Sequence, residues 1–131
     1  MQKLVTFLMF EGKAEEAINF YLSLFSDSEI VNITRYSKNE PGAEGSIKLA
    51  TILLHGQEFM FIDSPAKHDF TFTPSISIYV NCGTEEEIDN LFNKLSQDGK
   101  IFMPLATYPF SKKFGWTNDK YGVSWQLNLV N

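Results

Sequence analysis

Arginine, histidine and cysteine are scarce in this chain. Arg35 is the only arginine, His55 and His68 are the only histidines, and Cys82 is the only cysteine. One arginine cannot build the guanidinium cluster that clamps phosphates. One cysteine excludes an internal disulfide and a thiolate zinc site. Basic charge is in deficit: Lys and Arg total 11 against 16 Asp and Glu, a net charge of -5. That argues against a nucleic-acid partner, which needs a basic stripe. No apolar run approaches the roughly 20 residues of a membrane helix. The opening "MQKLVTFLMFEGKAEE" is too short in its apolar part, and too soon acidic, for a secretory signal. A cytoplasmic protein with no nucleic-acid and no membrane partner is expected.

Apolar and aromatic residues are plentiful. The chain has 131 residues, 44% of them hydrophobic and 15% aromatic, with twelve phenylalanines. This suits one domain spanning residues 1–131. The aromatics can fill a core or line an apolar ligand pocket.

The pattern repeats once. "AEEAINFYLSLF" is similar to "TEEEIDNLFNKL", and each follows a short strand, "KLVTFLMF" and "SISIYVN". Ala17, Ile18, Tyr21, Leu24 and Phe25 fall on one face of the first helix; Ile88, Leu91, Phe92 and Leu95 on one face of the second. Thr84 with Glu87 reads as a capping box, and Gly99 as a helix stop. "EIVNITRY", "SIKLATILL" and "GQEFMFID" supply three further strands in the first half. In the second, "KIFMPLA" and "TYPFSKK" are weaker, interrupted by Pro104 and Pro109, and "GVSWQLNL" closes the chain. The fold class is therefore α+β, with β-α-β-β-β twice: repeat one about 1–64 and repeat two about 74–131. "NDKYG" reads as a turn opened by Asn118 and Asp119, with Gly122 at positive φ. In the closing strand Val123, Trp125, Leu127 and Leu129 alternate with Ser124, Gln126 and Asn128. Before the second helix, Ile76, Ile78 and Val80 alternate with Ser75, Ser77 and Tyr79. The apolar sets face the helices; the polar sets face either solvent or a concavity.

Paired units of this length resemble the vicinal oxygen chelate superfamily of glyoxalase I, bleomycin-resistance proteins, fosfomycin-resistance enzymes and extradiol dioxygenases. "FLMFEGKAEEAINFYLSLF", "FTFTPSISIYVNCGTEEEIDNLFNKLS" and "GWTNDKYGVSWQ" resemble its PhnB-like branch over nearly the whole chain. Some members of that branch carry the name 3-demethylubiquinone-9 3-methyltransferase. The resemblance implies two curved mixed sheets around a cup, usually in a homodimer, and a divalent metal held by four strand positions. Those positions correspond here to Thr6, Met60, Ser75 and Gln126. Metal-binding relatives place His and Glu there; hydroxyls, a thioether and an amide are poor ligands for such an ion. No metal or other cofactor is expected on these positions.

The candidate pocket comprises Thr6, Met60, Ser75, Ser77, Tyr79, Trp116, Ser124 and Gln126. Trp116, placed in the loop before the turn, reads equally as core or as a pocket wall. Arg35 reads as a surface salt-bridge partner, or as an anion anchor if it faces a cup. His55 and His68 read as turn residues, although His68 with Asp69 is also placed for an acid–base pair. Cys82 reads as structural. Three roles compete: binding of a small molecule without chemistry, metal-dependent catalysis of the chelate type, and methyl transfer. The last lacks the glycine-rich turn and the longer Rossmann-like domain of usual methyltransferases.

Overall fold

The computed structural model describes residues 1–130. The chain divides into a first unit, Met1–Asp69, and a second that starts at Phe70. The first contains β1 (Thr6–Phe10), α1 (Ala14–Leu24), β2 (Glu29–Arg35), β3 (Ile47–Leu54) and β4 (Gln57–Asp63). The second contains β5 (Ile78–Cys82), α2 (Glu85–Ser96), β6 (Lys100–Tyr108), β7 (Ser111–Asn118) and β8 (Ser124–Leu129). Each unit is a four-stranded mixed sheet, in the orders β1-β4-β3-β2 and β5-β8-β7-β6. In both, the first and last strands run parallel and the other neighbours antiparallel. This is the α+β, twice-repeated β-α-β-β-β order that the sequence pattern predicts. No helix among the described residues is long and apolar enough to cross a membrane.

In the first unit α1 packs on β3 and β4. Its buried stripe is Ala14, Ala17, Ile18 and Tyr21; Leu24 and Phe25 are half-buried, and Phe25 lies past the helix end. Tyr21 meets Phe61 at 6.0 Å between ring centroids, and Phe61 stacks on Phe10 at 5.7 Å. Each such fully buried ring is worth about 1.5–3 kcal/mol relative to exposure. His55 and Gly56, at φ 49° and 78°, join β3 to β4. Two consecutive residues with positive φ form the tight turn whose twist matches a hairpin, so His55 is a turn residue. Arg35 donates to both carboxylate oxygens of Glu15, at 2.8 and 2.7 Å, and holds that carboxyl below its ordinary pKa.

Helix α1 has no side-chain cap of its own, because Lys13 occupies the N-cap. Asp63, at the far end of β4 and only 3% exposed, takes over the task. Its Oδ1 accepts from the Gly12 and Ala14 N–H groups at 2.8 and 2.9 Å, and its Oδ2 from the Ile47 N–H at 3.0 Å. A carboxylate at a helix N-terminus also meets the positive end of the helix dipole.

The second unit starts its helix as expected. Thr84 Oγ1 accepts from the Glu87 N–H at 3.1 Å, while the Glu87 carboxylate accepts from the Gly83 N–H at 2.7 Å. Ile88, Leu91, Phe92 and Leu95 are all buried against the sheet. Gly115 of β7 lets the helix come close, since a Cβ there would lie 2.5 Å from the Phe92 ring. Three expectations need correction. Gly99 is not the left-handed stop after α2; Asp98 has the positive φ, 59°. Gly99 is needed for space, because a Cβ would stand 2.0 Å from the Asn118 carbonyl oxygen. Ile76 is 77% exposed and precedes β5, which begins at Ile78. The weak runs "KIFMPLA" and "TYPFSKK" are parts of a hairpin, and Trp116 lies within β7 rather than in a loop. Pro104 is tolerated because β6 is an edge strand with irregular register.

Candidate functional site

The register of β8 sorts the second sheet into two faces. Trp125 pairs with Ile78 and Thr117, and Leu127 with Val80 and Gly115. Trp125 and Leu127 are 1% and 0% exposed and form the helix-side core. The intervening positions project the other way: Ser124 pairs with Asn118, Gln126 with Tyr79 and Trp116, and Asn128 with Asn81 and Phe114.

On that second face four side chains form one hydrogen-bonded chain. Gln126 Nε2 donates to Ser77 Oγ at 3.0 Å. Ser77 Oγ lies 2.7 Å from Ser124 Oγ. Trp116 Nε1 donates to Ser124 Oγ at 2.9 Å. Each hydroxyl thus accepts one N–H, and the two share a single proton between them. Whichever serine donates, one hydroxyl proton is left without an acceptor among the described residues. Beside them, across from Ser124, Asn118 Oδ1 is buried with no partner among the described residues. Buried polar groups without a protein partner are commonly completed by a bound water. One group that accepts from the spare hydroxyl and donates to Asn118 would satisfy both.

Aromatic rings flank this network. Phe102 lies 4.9 Å from Trp116, and Lys100 Nζ sits 5.5 Å from the Phe102 centroid. Tyr79 rests against Phe114 at 6.3 Å, and Phe114 meets Phe110 edge-on at 4.9 Å. Near the β6–β7 turn an open groove of about 520 Å³ is lined by residues including Tyr108, Phe110, Ser111, Lys112, Asn128 and Val130.

Of the eight candidates, Ser77, Trp116, Ser124 and Gln126 come together by direct hydrogen bonds, with Tyr79 adjacent on the same face. Ser75 does not join them. It is exposed in the turn before β5 and bonded to Thr73 Oγ1. Thr6 and Met60 belong to the first unit and point to opposite faces of its sheet. Thr6 pairs with Phe59 and shares the parity of buried Leu8 and Phe10; Phe7, not Thr6, pairs with Met60. A difference of one residue in the register of the opening strand separates the faces of Thr6 and Met60. Asn118, Phe102 and Phe114 were missed. The alternation of Phe114, Trp116 and Asn118 was present in the sequence but lay in a segment read as loop.

The four positions that match a family metal site do not fit one. Thr6 and Met60 lie on opposite faces, Ser75 is outside the strand, and the Gln126 amide already donates to Ser77. Among the described residues no three His, Cys, Asp or Glu side chains are grouped to hold an ion. His68 Nε2 is 2.8 Å from Ser64 Oγ, and the His68 N–H donates to Glu11.

Residues 2–128 match the family described as 3-demethylubiquinone-9 3-methyltransferase. The chain belongs to this family. A Bacillus cereus PhnB protein, titled a putative 3-demethylubiquinone-9 3-methyltransferase, is 69% identical in sequence. Its structure superposes with a TM-score of 0.97 over 98% of this chain and 100% of its own. Protein YjdN of Escherichia coli is 22% identical over 95% of this chain and 92% of its own length. A glyoxylase/bleomycin resistance protein/dioxygenase domain from Frankia, 11% identical, shares the fold with a TM-score of 0.66 over 100% of this chain and 93% of its own. The family thus has the glyoxalase/bleomycin-resistance architecture that the sequence resemblance implies.

Cys82 is fully buried at the end of β5. Burial, with a smaller contribution from the Glu87 charge, pushes its thiol pKa up to about 12. The thiolate is the nucleophile, so Cys82 is inert in the folded protein. Iodoacetamide at pH 8 is expected to leave it unmodified until denaturant is added; rapid labelling of the native chain, read by mass spectrometry, would overturn this. An unfolded thiol ionises near pH 8.5. Between there and about 12 only the unfolded state loses this proton, so the contribution of Cys82 to stability falls as pH rises.

Proposed function

We propose that this chain binds a small organic molecule on the face of its second sheet that lies opposite α2, without a metal held by Thr6, Met60, Ser75 and Gln126. The observation that carries this reading is the Ser77–Ser124 hydroxyl pair, with one proton left without an acceptor among the described residues, next to the orphaned Asn118 Oδ1 and walled by Trp116 and Phe102. A face built only for solvent has no need of a half-buried indole that donates to a buried hydroxyl. Membership in a family with the glyoxalase/bleomycin-resistance fold supports the reading. The residues offer hydrogen-bond selection and apolar contact, and no nucleophile or paired general base.

Thermal melting of the chelator-treated protein tests it, against divalent ions, S-adenosylmethionine and a panel of small organic molecules. A ligand that prefers the native state raises the midpoint by mass action. Organic compounds are expected to raise it and the ions are not. Gln126→Ala is expected to melt within about 1 kcal/mol of the parent, since its bond to Ser77 is half-exposed, and to lose the response. An ion-selective rise would replace this reading by a metal-dependent one. A rise with S-adenosylmethionine alone would revive methyl transfer.

A further inference from the structure

We infer that the groove beside the β6–β7 turn takes a flat aromatic carboxylate. The inference rests on the binding face proposed above and extends it along β8, because Gln126 and Asn128 share that face, about 7 Å apart at ordinary strand rise.

The groove has two kinds of wall. One is aromatic: Tyr108 and Phe110 stack at 5.7 Å with an interplanar angle of 11°, and Phe110 is 64% exposed. A stacked pair with so much open ring is a platform for a further planar group. The Tyr108 hydroxyl is already committed, donating to the Pro104 carbonyl at 2.7 Å, so the ring presents itself as an apolar surface.

The other wall consists of donors. The Asn128 amide meets Ser111 Oγ at 2.5 Å, which fixes the plane of the amide and turns its other end away from that bond. Ser111 Oγ also lies 2.9 Å from the Lys113 carbonyl and accepts from the Lys113 N–H at 3.2 Å, so its single proton serves either that carbonyl or the Asn128 amide. Lys112 is exposed and forms no ion pair among the described residues. Its neighbour Lys113 differs, reaching Asp89 at 2.6 Å and Glu85 at 4.0 Å. No Asp or Glu lines the groove. In a chain of net charge -5, Lys112 is the one charged side chain among the described residues that line the groove. A ring on Phe110 with a carboxylate toward Lys112 and Asn128 uses both walls, and a volume of about 520 Å³ admits a two-ring compound.

The test is an NMR titration of the ¹⁵N-labelled full chain with 2-naphthoate and, separately, with uncharged 2-naphthalenemethanol. Naphthoate is expected to move the amide signals of Ser111, Lys112 and Asn128, and the alcohol to bind about tenfold more weakly. Lys112→Glu and Phe110→Ala change exposed side chains and should keep the parent spectrum away from the substituted site and, for Phe110→Ala, away from its ring neighbours Tyr108 and Phe114. Lys112→Glu should cost about tenfold in naphthoate affinity and Phe110→Ala a similar factor with both compounds. Equal affinity for acid and alcohol, or an unchanged titration in Lys112→Glu, would overturn the inference. Shifts confined to the Trp116 indole and to Ser77 and Ser124 would also overturn it, while leaving the binding face itself supported. Absence of any shift with naphthoate overturns it as well; the binding face is then judged by the Gln126→Ala melting experiment alone.

Discussion

Trp125→Ala is expected to remove about 3–5 kcal/mol of stability, the range for truncating a large buried aromatic. The side chain is 1% exposed and the largest of those fully buried. Truncation opens a cavity under α2. It also removes the donor that Asp119 Oδ2 receives from Trp125 Nε1 at 2.9 Å. Asp119 is 2% exposed, and its Oδ1 accepts from the Tyr121 and Val123 N–H groups at 2.9 and 3.1 Å. The indole therefore anchors the carboxylate that shapes the β7–β8 turn. Against a typical total of about 5–15 kcal/mol, this one change takes a large share. Urea unfolding measures it. Trp125→Phe separates the parts: most of the apolar contact stays, and the lost hydrogen bond costs about 1–3 kcal/mol. A cost below about 1 kcal/mol for the alanine variant would show that the helix-side packing is wrongly described.

Asp63→Ala should be comparably severe, at about 3–5 kcal/mol. Three backbone N–H groups, of Gly12, Ala14 and Ile47, lose their acceptor together, two of them in fully buried surroundings. Each unsatisfied buried donor costs about 1–3 kcal/mol, and the three are not additive because they share one carboxylate. The Tyr36 hydroxyl is a control: it donates to the Asp63 backbone carbonyl at 3.0 Å, which the substitution leaves in place. Asp63→Asn retains one acceptor oxygen and places an NH₂ against an N–H, so an intermediate cost is expected. Urea midpoints at pH 7 order the three proteins as parent, Asn and Ala. An alanine variant within about 1 kcal/mol of the parent would mean that α1 starts without this carboxylate.

These two residues mark how far the sequence could be read. Trp125 was legible, because β8 alternates cleanly and parity alone puts Trp125 and Leu127 on the helix side. Asp63 was not, because nothing local distinguishes it from any aspartate ending a strand. Its partners lie 51, 49 and 16 residues away. The same division runs through the candidate site. Ser77, Ser124 and Gln126 were found by alternation. Their convergence through Trp116 depends on Trp116 lying within β7, and Pro109 obscured that strand by breaking the pattern at its turn. Thr6 lies on the face opposite Met60; a short opening strand has no internal marker of register, and a slip of one residue exchanges the faces.

The sequence by itself determined the order β-α-β-β-β taken twice, the buried face of α2, the greater part of that of α1 and the core position of Trp125. These follow from periodicities of two and of about three and a half that any local segment carries. Only the tertiary structure decided which carboxylates hold the helix and turn backbones, why Gly99 and Gly115 must lack a Cβ, and which polar side chains meet. Such contacts join residues from different strands and helices. Their geometry is fixed by sheet register and by the approach of a helix to its sheet, and neither is a property of any single segment.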